Sequence, residues 1–201
     1  IKINFSKQRS IMDNKLFLGS IFFVCFFFST FFHLSSINAS SKVNKFKVLE
    51  VGKTMPNALL QRFGNSNIEI KDLMGKVKII SIVPKLNTPV CDKQTHQFSE
   101  QNDGLDKQVD IITISTNSLE GQNTFAKKAK INNLIFLSDK AEFSFGRNTG
   151  LLIEEMGMLA RTVLVLDETN TIRYVDFVPG GGLPDIKGAL AAAKKVLLKK
   201  S

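Results

Sequence analysis

The stretch that decides the fold runs from residue 77 to residue 103, "VKIISIVPKLNTPVCDKQTHQFSEQND". Its first part, "VKIISIVP", is a continuous apolar run bounded by Lys and Pro, which suits a strand buried on both faces. Its second part, from "TPVC" onward, reads as a helix. Thr88 is a good N-cap and Pro89 is favoured at the first helical position, so Val90 and Cys91 follow as the second and third. A lone thiol thus stands where a strand has ended and a helix begins.

Working outward, the rest of the chain has the same alternation. Upstream, "KFKVLEVGKTMPNALLQRFGN" reads as a short strand, a Gly turn and an irregular or extended segment, and "NIEIKDLMGK" alternates apolar and polar until Gly75. Downstream, "VDIITIST" and "LIFLSD" read as buried strands, while "SLEGQNTFAKKAKI" and "AEFSFGRNTG" read as helices, the last ending at Gly150. "RTVLVLDETNTIRYVDFV" is two strands around the turn "DETN". "LPDIKGALAAAKKVLLKK" is a closing helix started by Pro184–Asp185. Strands alternating with helices predict an α/β domain with a central, partly parallel sheet covered on both faces. The "PGGGLP" loop lacks the spacing and the Lys-Ser/Thr of a phosphate loop and reads as a linker.

Composition narrows the function classes. Of the 201 residues, 43% are hydrophobic, as in ordinary globular proteins. The formal charge of +9 comes from 27 Lys and Arg against 18 Asp and Glu. The lysines scatter, apart from "FAKKAK" and the C-terminal "AAAKKVLLKKS", so no basic face for nucleic acid is expected. Two cysteines and two histidines are too few for a disulfide framework or a zinc cluster.

Residues 1–40 read as a targeting leader and residues 41–201 as the folded domain. "LFLGSIFFVCFFFSTFFHL", residues 16–34, is almost wholly apolar, follows Lys15, and gives way to the small polar "SSINASSK". That order describes a secretory signal peptide with Met12 as its candidate start. A retained membrane anchor is the competing reading, because the run is close to the roughly 18–20 residues that span a bilayer. "NASSKVNKFK" has no acid, which resembles the start of a plastid-type transit peptide. The expected destination is the secretory pathway, or a plastid-type organelle reached through it. Cys25 lies inside the apolar run, so removal of the leader leaves Cys91 as the single cysteine.

A thiol in the first turn of a helix sits near unpaired backbone N–H groups and the positive end of the macrodipole. Both stabilise a thiolate, which is the nucleophilic form. Position alone leaves a buried structural cysteine equally open. His96 lies five residues on, about 140° around the helix from Cys91, and faces another way.

The pattern Pro84-x-x-x-Thr88-x-x-Cys91 resembles the peroxidatic motif of the peroxiredoxins. "NTPVCDKQTHQF" is similar to their thiol peroxidase branch, whose active-site helix reads T-P-V-C, then a Q-T-like pair and an aromatic. "INNLIFLSD", "MLARTVLVLDETNTIRYVDFV" and the late "PD" before an Ala-rich helix extend the resemblance over about residues 45–200. It implies a thioredoxin-like fold, a central mixed β-sheet flanked by helices. It implies a thiol-dependent peroxidase needing no metal, haem or flavin. Cys91 would attack the peroxide and become a sulfenic acid. Thr88 would hold the peroxide by hydrogen bonds, Pro84 would shield the sulfur, and Arg161 would stabilise the thiolate and the leaving oxygen. A homodimer is implied by the resemblance alone.

The chain departs from that family pattern at one place. The branch carries a resolving cysteine in a stretch like F-C-G-A-E-G, and Ala126 of "TFAKKAKINN" stands there instead. The expected enzyme works with one cysteine and is reduced from outside, by glutathione, a glutaredoxin or a thioredoxin-like protein. The competing reading is a redox sensor or relay that passes oxidation from Cys91 to a client thiol. A degenerate binding module fits less well, since Pro84, Thr88, Cys91 and Arg161 are all kept. A thiol–disulfide oxidoreductase would need a C-x-x-C, which the chain lacks.

Overall fold

The computed structural model describes residues 49–64 and 66–199. The expected leader, its Met12 and Cys25, and the boundary at residues 40 and 41 lie outside the described residues.

A hairpin of β1 (Leu59–Arg62) and β2 (Ser66–Glu69) comes first. Then β3 (Lys78–Ile82), α1 (Pro89–Glu100), β4 (Asp110–Ser115), α2 (Leu119–Ala129) and β5 (Ile135–Ser138) alternate. After α3 (Ser144–Thr149) a small hairpin pairs β6 (Leu152–Ile153) with β7 (Met158–Leu159). The chain closes with β8 (Thr162–Leu166), β9 (Ile172–Phe177) and α4 (Ile186–Leu198). Seven strands form one mixed sheet in the order β2-β1-β5-β4-β3-β8-β9. β3, β4 and β5 run parallel, and the outer pairings are antiparallel. The expected α/β architecture, a central mixed β-sheet flanked by helices, is the one observed.

The period of two along each strand splits the core into two layers. Ile80, Ile82, Ile112, Ile114 and Leu164 face α3 and its Phe145. Ile79, Val83, Ile111, Val163 and Val165 face the other way, toward Phe98 of α1 and Ala189 and Leu190 of α4. Ser81 therefore points to the α1 side, and so does Arg161, two positions before Val163.

The short strand expected around "KFKVLE" lies mostly outside the described residues, and one expectation, the start of a helix, is corrected. Residues 49–58 form no strand beyond a single bridge from Thr54 to Thr171. Gly52 turns the chain at φ +91°, and Pro56, which has no N–H, cannot continue a ladder. The segment is instead pinned by isolated bonds, Gly52 N to Ile172 O and Met55 N to Asn170 O, both 2.8 Å. The helix in "AEFSFGRNTG" starts at Ser144, not at Ala141. The buried Asp139 carboxylate accepts from the N–H groups of Phe145 and Gly146, both at 2.8 Å, and fixes that later start.

Lys78, within the otherwise apolar run of β3, is fully buried. Its Nζ donates to Asp167 O at 3.1 Å and to Asn170 Oδ1 at 2.8 Å, which a neutral amine can satisfy. Burial pushes its pKa down to about 8, against the pull of Asp110, Asp167 and Glu168. A lysine lowered on folding costs stability where the unfolded chain keeps it charged and the fold does not welcome that charge. Its contribution is present above the unfolded value near 10.5 and is lost as pH falls through about 8. Between about pH 8 and about pH 10 the wild type should gain about 2 kcal/mol relative to Lys78→Met. Chemical denaturation of both proteins at the two pH values measures that difference, and parallel pH profiles would contradict it.

Candidate active site

The site is built where β3 ends and α1 starts. After Ile82 the chain bends at Pro84, and a turn brings the Thr88 N–H to Lys85 O at 3.3 Å. Thr88 occupies the N-cap with extended backbone and Pro89 opens the helix, as the sequence predicts. The Thr88 hydroxyl, however, does not cap. It donates backward to Lys85 O at 3.0 Å. The first-turn N–H groups of α1 therefore receive no side-chain cap, and Cys91 sits among them. Thr95, one turn on, donates to Cys91 O at 2.8 Å and ties down the same turn.

Cys91 is the one cysteine among the described residues, and it is fully buried. It packs in the α1-side core with Val83, Leu86 and Phe98. The sequence left open whether this thiol is structural or chemical. Burial alone would favour the structural reading, but its polar neighbour does not. Arg161 Nη2 donates to Cys91 Sγ at 3.3 Å. The same guanidinium donates through Nη1 to Gln94 Oε1, and Gln94 Nε2 donates to Ser81 Oγ at 2.8 Å. Arg161 is only 5% exposed, forms no ion pair with a described carboxylate, and its Nε has no partner. A buried cation needs an anion. The Cys91 sulfur is the atom that the second arm of the fork reaches.

Of the four expected site residues, the structure joins Cys91 and Arg161 directly across 70 positions of sequence. Pro84 and Thr88 lie on the loop that leads to Cys91, Pro84 half-buried and Thr88 exposed. His96 is turned away, as its spacing predicts: its Nδ1 pairs with Glu100 Oε1 at 2.6 Å. Gln94 and Ser81 were not singled out from sequence. Gln94 sits three residues after Cys91, on the same helix face, and a strand period of two puts Ser81 opposite it. Both signals were available. Ala126 falls on α2, where no thiol is present. Beside the loop lies an open groove of about 910 Å³ lined by Leu86, Thr88, Pro89, His96, Phe125 and Lys128.

Known proteins share this arrangement of chain. Residues 50–190 match the family described as Redoxin. A thiol peroxidase of Streptococcus pneumoniae is 40% identical over 149 residues, covering 74% of this chain and 91% of its own length. A thiol peroxidase of Staphylococcus epidermidis is 36% identical over 149 residues, covering 72% of this chain and 88% of its own. Among solved structures, a peroxiredoxin-like protein from Aquifex aeolicus superposes with a TM-score of 0.68 at 27% identity, covering 74% of this chain and 88% of its own.

Proposed function

The chain belongs to the redoxin family, alongside its thiol peroxidases, and from that premise we propose that it is a thiol-dependent peroxidase in which Cys91 alone carries the oxidation. The observation that carries the reading is the buried Arg161 guanidinium, held by Gln94 and donating to the Cys91 sulfur. The Cys91 thiolate attacks the nearer oxygen of a hydroperoxide. The S–O bond forms, the O–O bond breaks, and the leaving oxygen takes a proton to depart as an alcohol or as water. The Arg161 fork balances charge on the sulfur and then on the departing oxygen.

Thr88 spends its hydroxyl hydrogen on Lys85 O, so its lone pairs are left to accept the peroxide's O–H. Pro84, which offers no N–H, closes the loop side of the site and keeps water off the sulfur. Thr88→Val should slow Cys91 oxidation by hydrogen peroxide roughly 10- to 100-fold, the worth of one hydrogen bond to a charged reacting system, while Thr88→Ser keeps most of the rate. Stopped-flow kinetics of the two variants decide it. Equal rates for Thr88→Val and wild type would remove Thr88 from the mechanism.

Recycling follows from the single thiol among the described residues. The sulfenic acid condenses with an external thiol, releasing water and leaving a mixed disulfide. A second external thiol attacks that disulfide and frees Cys91. Glutathione, a glutaredoxin or a thioredoxin-like protein fits this role. The lack of a second cysteine among the described residues also suits a relay that hands its oxidation to one client protein. Turnover with small thiols supports the peroxidase cycle, and mixed disulfides trapped with one protein thiol support the relay. A homodimer, and delivery by residues 1–40 to the secretory pathway or to a plastid-type organelle reached through it, complete the proposal.

A further inference from the structure

The turn that presents Thr88 is held from a second element. Leu86 N–H, fully buried, donates to Asn117 Oδ1 at 3.0 Å across 31 positions of sequence. Asn117 lies between β4 and α2 and is 9% exposed. Its own backbone is anchored on both sides. Its N–H donates to Ser115 Oγ at 3.3 Å, at the end of β4, and its carbonyl accepts from Ser138 Oγ at 2.7 Å, at the end of β5. Gln122 of α2 secures the same corner, donating to Ser115 Oγ at 3.0 Å and to Leu137 O at 2.8 Å. Asn117 is thus a fixed acceptor on the C-terminal edge of two parallel strands, reaching into the loop between β3 and α1.

What it holds is specific. Within the turn, both the N–H and the hydroxyl of Thr88 rest on Lys85 O. Leu86 lies between those two residues, with its side chain in the same apolar cluster as Cys91. Two contacts therefore seat the turn, the Leu86 side chain in the core and the Leu86 N–H on Asn117. The first sets depth only, because apolar contact is non-directional. The second sets rotation, because a hydrogen bond is directional. Rotation of the Lys85–Thr88 turn is what decides where the Thr88 oxygen stands relative to the sulfur.

From this arrangement we infer that Asn117 is a positioning residue for the peroxide step: its side-chain carbonyl orients the Leu86 amide and so aims Thr88 at the substrate bound beside Cys91. The inference rests on the role given above to Thr88. It asks nothing of the thiolate itself, which Arg161 and the helix start support separately. Loss of the Asn117 acceptor should therefore degrade the reaction with peroxide and spare reactions that need only the sulfur.

The test compares two reactions of Cys91 in Asn117→Ala, Asn117→Asp and Thr88→Val, each beside wild type. Oxidation by hydrogen peroxide is followed by stopped flow, and alkylation by iodoacetamide is followed by mass spectrometry. Asn117→Ala should oxidise on the order of 10- to 100-fold more slowly, the cost of a small misplacement, with alkylation no slower than wild type. Asn117→Asp should recover to within about threefold, since a carboxylate oxygen accepts the same bond. Wild-type oxidation in Asn117→Ala, an equal slowing of both reactions, or no recovery in Asn117→Asp overturns the inference. If Thr88→Val also oxidises like wild type, the role of Thr88 has failed; if only Thr88→Val is slow, Asn117 alone has. Should Asn117→Ala not fold, amide exchange of Leu86 by NMR in wild type and Asn117→Asp serves instead. Protection in both is expected, and exchange at the unprotected rate overturns the inference.

Discussion

Cys91→Ser is expected to abolish peroxide reduction and also to weaken the fold. The first effect follows from the chemistry, since a serine hydroxyl is not ionised at neutral pH and the described residues hold no second thiol. The second is the more informative. Cys91 and Ser differ by one atom, and an ordinary buried thiol would tolerate the exchange at modest cost. Here the sulfur accepts from a buried guanidinium that has no ion pair with a described carboxylate, and on the proposed mechanism it serves as that cation's counter-ion. Removing one member of a buried charge pair typically costs about 3 kcal/mol or more, because the other charge is left uncompensated. The variant should therefore unfold at clearly lower denaturant concentration than wild type. A Cys91→Ser protein as stable as wild type would mean that the sulfur does not serve as the counter-ion of Arg161.

Arg161→Met is the complementary change. It should slow the reaction of Cys91 with peroxide by about 100- to 1000-fold, the usual loss when one preorganised donor to a reacting charge is removed. Arg161→Lys should fall between the two proteins, because an ammonium keeps the charge but cannot reach Cys91 Sγ and Gln94 Oε1 as a planar fork does. Alkylation of Cys91 in Arg161→Met should slow as well, which separates this residue from Asn117. Measured rate constants for both reactions across pH would check it. Undiminished peroxide reactivity in Arg161→Met would leave the thiolate without its main support.

Much of this architecture is legible in the sequence. The strand-loop-helix of residues 77–100 is written by an apolar run, a proline and a Thr-Pro start, all local signals. Arg161 was legible through the resemblance, which sets an arginine at the head of "TVLVL". Ala126 in place of a resolving cysteine was legible as a missing atom. What was hidden depends on contacts distant in sequence. Position in a first turn could not tell that Cys91 is fully buried, since burial is decided by Val83 and Phe98. The N-cap propensity of Thr88 was correct for its backbone and wrong for its hydroxyl, which turns back to donate to Lys85 O and accepts from no first-turn N–H. Lys78 looked like a boundary residue; the turn between β8 and β9 gives it two acceptors inside the sheet. Asn117 carries no signal of its own, and its value appears only when two loops are placed side by side.

The central claim is that one buried thiol, made reactive by Arg161 and the start of α1, reduces peroxide. Its most direct test is stopped-flow oxidation of the purified protein by hydrogen peroxide, with dimedone trapping and mass spectrometry, beside Cys91→Ser. Oxidation orders of magnitude faster than an ordinary free thiol, with one dimedone adduct, on Cys91 and absent from Cys91→Ser, is the predicted result. Oxidation of Cys91 no faster than that of an unassisted thiol would contradict it, leaving a redoxin scaffold that keeps the motif without the chemistry.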